Sequence, residues 1–326
     1  VAIIGGGSWG TALGAHLARS GNAVVLWARE PEVVEGIGAQ RRNPWYLPDI
    51  ELPAALAATR EPAEAVRDAD VVIVVVPSEF FASTLKDIPV LPHGVPVVSA
   101  TKGFDPARHV RMTELLGERF PGAQIAALSG PTFAAEVGRG LPSAAVIAAT
   151  GEQLSRQLQQ WLASRELRLY TNRDVVGVET GGAVKNVIAV ATGMADGLGL
   201  GQNARAALIT RGLVEMTRLA VALGGSPGTL AGLAGLGDLV LTCTGTLSRN
   251  HALGVAVARG ATVSEVERGT RMIAEGVPTV RSVLALARRH NVTLPIAAEV
   301  AAVLFDGKSP RDGLEALLGR PWARED

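Results

Sequence analysis

At 326 residues the chain is too long for one average domain and comfortable for two, and a 48% hydrophobic content excludes disorder. Basic and acidic residues balance at 31 each, so charge makes no case for nucleic acid or an anionic membrane surface. Apolar runs such as Val71 to Val76, bounded by Asp70 and Pro77, are far too short to span a bilayer, and Cys243, the only cysteine, excludes an intrachain disulfide and suits a reducing cytoplasm.

Val1 to Ile4 read as a buried strand running straight into Gly5-Gly6-Gly7-Ser8-Trp9-Gly10. No leader peptide is expected ahead of that strand, and a start without Met is expected to leave a few native residues upstream. Gly5, Gly7 and Gly10 fall on the G-x-G-x-x-G spacing, and each has a task. Gly5 permits the tight turn, Gly7 lets a pyrophosphate approach the backbone, and Gly10 lets the next helix pack on the sheet. A helix over Thr11–Ala18 and a second strand over Ala23–Trp27 complete the context of a dinucleotide site.

The connection from Pro31 to Ala69 reads as irregular, with Asn43-Pro44-Trp45-Tyr46-Leu47-Pro48 as an unusual surface loop. Further strands are expected over Asp70–Val76, Val95–Ser99, Gln124–Leu128, Ala144–Ala148 and Leu167–Tyr170, alternating with helices. The expected fold is therefore an α/β, doubly wound (Rossmann) parallel-sheet domain over 1–172. From 173 to 326 the strand signals fade, and an all-α domain is expected. Its helices stop at Gly224-Gly225, Gly260, Asn291, Gly307 and Gly319, and Ser309-Pro310 caps one start. Gly5–Ser8, Arg29, Pro77-Ser78, Thr101-Lys102 and Ser129-Gly130-Pro131 all follow predicted strands, where an open α/β sheet places its crevice.

Only four lysines (Lys86, Lys102, Lys185, Lys308) stand against 27 arginines. A lysine kept in such a chain can mark a place where a compact or titrating amine is needed, while surface lysines such as Lys86 need no such reason. On a helix, Lys185 shares one face with Gly177, Gly181, Ala189 and Gly193, a stripe open to another backbone or a flat ligand. The alternative is a snorkelling surface lysine. Asp238, between Gly235-Leu236-Gly237 and Leu239, suits either a partner that orients Lys185 or a helix cap. Arg249 and Asn250 suit a fork onto phosphate.

These segments, together with Asn43-Pro-x-Tyr46-Leu-Pro, Thr101-Lys102-Gly103, Ser129-Gly-Pro-Thr-Phe-Ala-Ala-Glu136, Lys185-Asn186 and Ser248-Arg-Asn250, occur in the order found in bacterial NAD(P)-dependent glycerol-3-phosphate dehydrogenases. The chain resembles that family over essentially its whole length. The resemblance implies reversible hydride transfer between NAD(P)H and dihydroxyacetone phosphate, giving sn-glycerol 3-phosphate for phospholipid synthesis, by a cytoplasmic homodimer. It implies Lys185 as catalytic acid/base with Asp238 beside it. It also implies Lys102, Gly130, Thr132, Asp238, Ser248, Arg249 and Asn250 on the substrate. On the cofactor it implies Ser8, Trp9, Arg29, Tyr46, Lys102, Ala134, Arg249, Ile273 (where the family usually has Val) and Glu275, alongside Gly5, Gly7 and Gly10.

The chemistry is coherent with those residues. A protonated Lys185 can stabilise and then protonate the alkoxide formed from a ketone, and its neutral form serves the reverse direction. A free lysine titrates near ~10.4, so burial or a second cation, such as Lys102, must lower it. Five scattered His and one Cys show no metal-ligand spacing. At the end of the second strand Arg29 suits the 2′-phosphate of NADP(H), with Arg41 and Arg42 as helpers, while Glu30 could read the ribose of NAD(H). Dual use with NADPH favoured is expected. The alternatives are another NADP-dependent keto- or 3-hydroxy-acid reductase of the same two-domain class, or a dinucleotide sensor without turnover. The Ser-Arg-Asn cluster favours a phosphorylated substrate over the first. A sensor has no use for Lys185, Asp238 and Arg249 together.

Overall fold

A computed structural model describes residues 1–269 and 274–321. Eight strands form one sheet: β1 (Ala2–Ile4), β2 (Val24–Trp27), β3 (Leu56–Thr59), β4 (Val72–Val74), β5 (Pro96–Ser99), β6 (Gln124–Ser129), β7 (Ser143–Ala148) and β8 (Leu167–Asn172). Their order is β3-β2-β1-β4-β5-β6-β7-β8, so the chain switches direction across the sheet after β3. Helices cover both faces, and their apolar residues pack with those of the strands into two cores, one around Leu13, Leu26 and Ile73 and one around Phe81, Met112 and Leu116. The central strands are buried on both faces, as a parallel sheet covered by helices requires.

Two features depart from the expectation. The connection from Pro31 to Ala69 is not irregular throughout. It holds helices Pro31–Gln40 and Pro62–Val66 and the edge strand β3. The helix contains Gly36 and Gly38, poor helix formers, and the strand is a short Leu-Ala-Ala-Thr without a β-branched run, so neighbouring elements supply what local propensity lacks. The sheet is also not wholly parallel, for β6 and β7 run antiparallel with Ala127 opposite Ala148. The segment between them folds as the short helix Ala134–Gly138, which packs on helix Ser8–Arg19 instead of crossing back over the sheet.

After β8 every described element is a helix or helical turn. Helix Val175–Gly197 lies at the centre, capped by Asp174, whose carboxylate accepts from Gly177 N–H. By length and composition it could cross a membrane, yet nearly all of it is buried by the helices around it. Gly181 and Gly193 explain that packing. An added Cβ would stand 2.5 Å from Ala234 O at Gly181 and 2.1 Å from His251 O at Gly193. The small-residue stripe therefore admits protein backbone. The expected helix ends hold: Asn291 is left-handed after helix Gly276–Arg289, and Ser309 caps helix Pro310–Leu318 by accepting from Asp312 N–H. Phe104, from the segment after β5, is buried in the core of this helical half.

Candidate active site at the sheet–helix junction

At the carboxyl end of β1, Gly5 adopts φ 136°, and an added Cβ at Gly10 would lie 1.9 Å from Gly5 O. Only glycine serves at either place. Helix Ser8–Arg19 begins directly from Gly7, which offers no capping side chain, and an added Cβ at Gly7 would meet nothing within 4 Å. The turn is thus an open cradle at the positive end of a helix. Asn43 holds its rim. Fully buried, it donates to Gly6 O and Thr11 Oγ1, both at 2.8 Å, while its Oδ1 accepts from the N–H of Trp45 and Tyr46. Ser8 Oγ donates to Tyr46 O at 3.1 Å, closing the loop over the turn. Sequence spacing marked this loop as unusual but did not reveal the anchoring role of Asn43.

Trp9 Nε1 is buried without a partner among the described residues. Arg29 is exposed at the end of β2, 5.6 Å from the Phe80 ring centre, and donates to Glu30 Oε1 at 3.1 Å. Arg42 donates to Pro48 O within the loop, and Arg41 is the left-handed residue ending helix Pro31–Gln40. The open cradle over Gly7, a buried indole N–H without a partner among the described residues and an exposed guanidinium past β2 fit a dinucleotide.

Lys185 reaches the same crevice from the helical half and is 5% exposed, which disposes of the snorkelling alternative. Its Nζ donates to Asp238 Oδ1 at 2.5 Å and to Thr242 Oγ1 at 2.8 Å. Lys102 Nζ approaches from the end of β5 and donates to the other oxygen, Asp238 Oδ2, at 2.6 Å, and to Gly130 O at 3.0 Å. Burial brings the Lys185 ammonium down to about 7; Asp238 opposes that shift and Lys102 adds to it. Asp238 is fully buried at the first position of helix Asp238–Thr244, its side chain spent on the two amines and not on a cap. It is placed there by the helical turn Leu233–Gly237, onto which helix Val175–Gly197 packs through Gly181. Thr242 Oγ1 donates to Asp238 O at 2.6 Å, leaving its lone pairs for Lys185. That role of Thr242 was not apparent from the sequence. The other two lysines lie elsewhere: Lys86 is exposed and Lys308 pairs with Glu299.

Gly130 is left-handed at φ 145° and packs on Ala145; Thr132 Oγ1 donates back to Gly130 O, and half-buried Ala134 starts the next short helix. Ser248 caps helix Arg249–Ala258 by accepting from His251 N–H, which leaves Arg249 exposed at the helix start. Asn250 is committed to the frame. Its Nδ2 donates to Asn186 Oδ1 at 2.9 Å and its Oδ1 accepts from Gly276 N–H at 2.8 Å, so a single amide hydrogen remains for a ligand. Glu275 accepts from Ser78 Oγ at 2.7 Å and Ser78 N–H at 3.3 Å. Although the residue keeps part of its surface, loss of solvent pushes its carboxyl up to about 7. Ile273 lies outside the described residues.

A helical half that delivers one desolvated amine to the mouth of a nucleotide-binding sheet is the arrangement of a two-domain dehydrogenase. Residues 1–155 match the family described as NAD-dependent glycerol-3-phosphate dehydrogenase N-terminus, and residues 174–315 its C-terminus. The chain belongs to this NAD-dependent glycerol-3-phosphate dehydrogenase family. A relative from Stenotrophomonas maltophilia (strain K279a), named glycerol-3-phosphate dehydrogenase (NAD(P)+), is 49% identical over 325 residues, covering 98% of this chain and 94% of its own. One of the same name from Streptomyces coelicolor is 47% identical over 98% of this chain and 96% of its own. The crystal structure of glycerol-3-phosphate dehydrogenase from Coxiella burnetii superposes with a TM-score of 0.92 at 38% identity, covering 98% of each chain.

Proposed function

We propose that Lys185 is the acid/base of an NAD(P)-dependent dehydrogenase that interconverts dihydroxyacetone phosphate and sn-glycerol 3-phosphate, the backbone of glycerophospholipids. The observation that carries this reading is the buried Lys185–Asp238 pair, with Lys102 on the second Asp238 oxygen, at the mouth of the glycine cradle. The nicotinamide of a dinucleotide held over the Gly5–Gly10 turn would supply the hydride in one direction and accept it in the other. As negative charge grows on the carbonyl oxygen, the Lys185 ammonium stabilises it and then yields a proton. In the reverse direction neutral Lys185 takes the hydroxyl proton. An amine brought to about 7 by burial serves both roles near neutral pH. Asp238 holds Lys185 in place with Thr242, and Lys102 keeps a second cation near the reacting oxygen.

In this reading Arg249, Asn250 and Ser248 bind the phosphate, with Lys102, Gly130 and Thr132 on the rest of the substrate. Gly5, Gly7, Ser8, Trp9, Gly10, Arg29, Tyr46, Lys102, Ala134, Arg249, Ile273 and Glu275 line the dinucleotide. Residues 1–172 form the cofactor half and 173–326 the catalytic half of a cytoplasmic homodimer. The test is the absorbance of NADPH and NADH mixed with enzyme and either dihydroxyacetone phosphate or unphosphorylated dihydroxyacetone. Rapid consumption with the phosphate ester alone is expected. Equal rates with both ketones, or none with either, would overturn the assignment, and light scattering tests the dimer.

A further inference from the structure

Lys102 belongs by sequence to the sheet domain, yet the segment that carries it is fastened to the helical half at several points. Phe104, two residues on, is 1% exposed within the helical core. His109 Nδ1 lies 3.1 Å from Ser282 Oγ. Between these points the segment closes on itself: Asp105 N–H donates to Val110 O, Phe104 and Arg111 form a β-bridge, and Asp105 Oδ1 accepts from Ala107 and Arg108 N–H. Its far end is held by Glu179, 7% exposed and on the same helix as Lys185. Glu179 Oε1 accepts from Thr113 N–H at 2.9 Å, and Oε2 accepts from Thr113 Oγ1 and from Arg111 at 3.2 Å. This buried carboxylate, which has no part in binding or proton transfer, joins the Lys185 helix to the start of helix Met112–Arg119.

The geometry points to Glu179 as a positioning residue that, by gripping Thr113 and Arg111, fixes the Lys102 segment to the Lys185 helix and so holds Lys102 Nζ on Asp238. Both amines of the site are then tied to one helix, in addition to the bond of Lys102 Nζ to Gly130 O on the sheet side. The inference rests on the proposed role of Lys185. The charged and titratable groups facing Lys185 are Asp238 and Cys243 on one helix and Lys102 after β5. On the other helices packed around it, Glu215 is engaged by Ile296 and Ala297, His251 by Asp196 and Glu275 by Ser78, while Arg249, whose guanidinium is desolvated by its surroundings, lies near Glu275.

The experiment compares full-length wild type with Glu179→Ala, Glu179→Gln and Thr113→Val, reading kcat and KM against pH for glycerol 3-phosphate oxidation, with melting temperatures alongside. In Glu179→Ala, Lys102 withdraws and Lys185 keeps its proton more tightly. The acid limb of kcat is expected to move up by about one pH unit, with kcat lowered by up to about a hundredfold. Glu179→Gln retains an acceptor for Thr113 N–H and a donor for Thr113 Oγ1 but loses the Arg111 bond, so its limb should lie between those of wild type and Glu179→Ala. Should the Ala variant not fold, Thr113→Val carries the test, with a smaller upward shift expected. A folded Ala variant with an unmoved limb, an unmoved Thr113→Val where Ala does not fold, or a Gln variant shifted as far as Ala, would each overturn positioning; the last would mean that the charge itself acts. Inactive wild type would instead defeat the proposed reaction.

Discussion

Lys102 and Lys185 approach one carboxylate from two halves of the molecule, each on its own oxygen of Asp238, at 2.6 and 2.5 Å. Two protonated amines on one carboxylate, Lys185 buried and Lys102 partly exposed, leave a net positive site, which is what a developing alkoxide and a phosphate ester need. The same crowding favours loss of a proton from the more buried amine, Lys185.

Replacing Lys185 tests the proton transfer directly. Lys185→Met should lower kcat by about 10²–10⁴-fold while NADPH binding, which we propose rests on the glycine cradle, stays near wild type. Lys185→Arg should be almost as inactive, since Arg stays protonated and is too bulky for this buried position. Turnover measured beside melting temperature separates the cases. Substantial activity in a folded Met variant removes Lys185 from the mechanism.

Asp238 raises the proton affinity of Lys185, so Asp238→Asn should lower it further. In the reduction direction the proton donor is then lost at neutral pH, and kcat falls by at least about tenfold. In the oxidation direction the acid limb of the pH profile moves to lower pH. Limbs that stay in place would show that Asp238 acts only through packing.

In the proposed reading phosphate recognition falls to Arg249, because Asn250 has one hydrogen left to give. A planar fork holds two phosphate oxygens where Lys offers a point charge. Arg249→Lys should raise KM for dihydroxyacetone phosphate by about tenfold, equivalent to ~1.4 kcal/mol, with a smaller effect on kcat. Unchanged KM would refute the assignment.

Arg29 stands exposed at the end of β2 with Glu30 tied to it. Arg29→Ala should weaken NADPH well beyond NADH in fluorescence titrations, because only NADPH carries the 2′-phosphate. Equal loss for both nucleotides would place Arg29 elsewhere.

Glu215 governs a stability change remote from the site. It is 4% exposed and accepts from Ile296 and Ala297 N–H at the start of helix Pro295–Phe305, and burial pushes its carboxyl up to about 7 despite those bonds. A folded value above the unfolded one means that its stabilising contribution is full below about 4.5 and is lost as pH rises through about 7. Wild type should therefore melt lower at pH 8 than at pH 5.5, and Glu215→Gln should shrink that difference by on the order of 5 °C. Glu275 and Glu179, raised in the same direction, leave part of the slope in place. An identical slope in both proteins would sink the prediction.

Much of this protein is legible in its sequence because it rests on local chemistry. Gly5 and Gly10 sit where no side chain fits, the central strands are apolar on both faces, and helices end at residues that tolerate a left-handed turn. The scarcity of lysine is informative for the same reason, since Lys102 and Lys185 occupy places where a compact amine is required. Tertiary structure decided the rest. Strand β3 and helix Pro31–Gln40 form against weak propensity because neighbouring elements pair with them and bury them, and β6 meets β7 antiparallel because the short helix between them stays on one side of the sheet. Asp238 was equally a cap or a partner until the turn Leu233–Gly237 placed it between two amines. Asn43, Thr242 and Glu179 look ordinary in the chain, and their importance lies in contacts across long sequence separations. Burial, which turns Lys185 from a solvated cation into an amine near about 7, is a property of everything packed around it, and no stretch of sequence contains it.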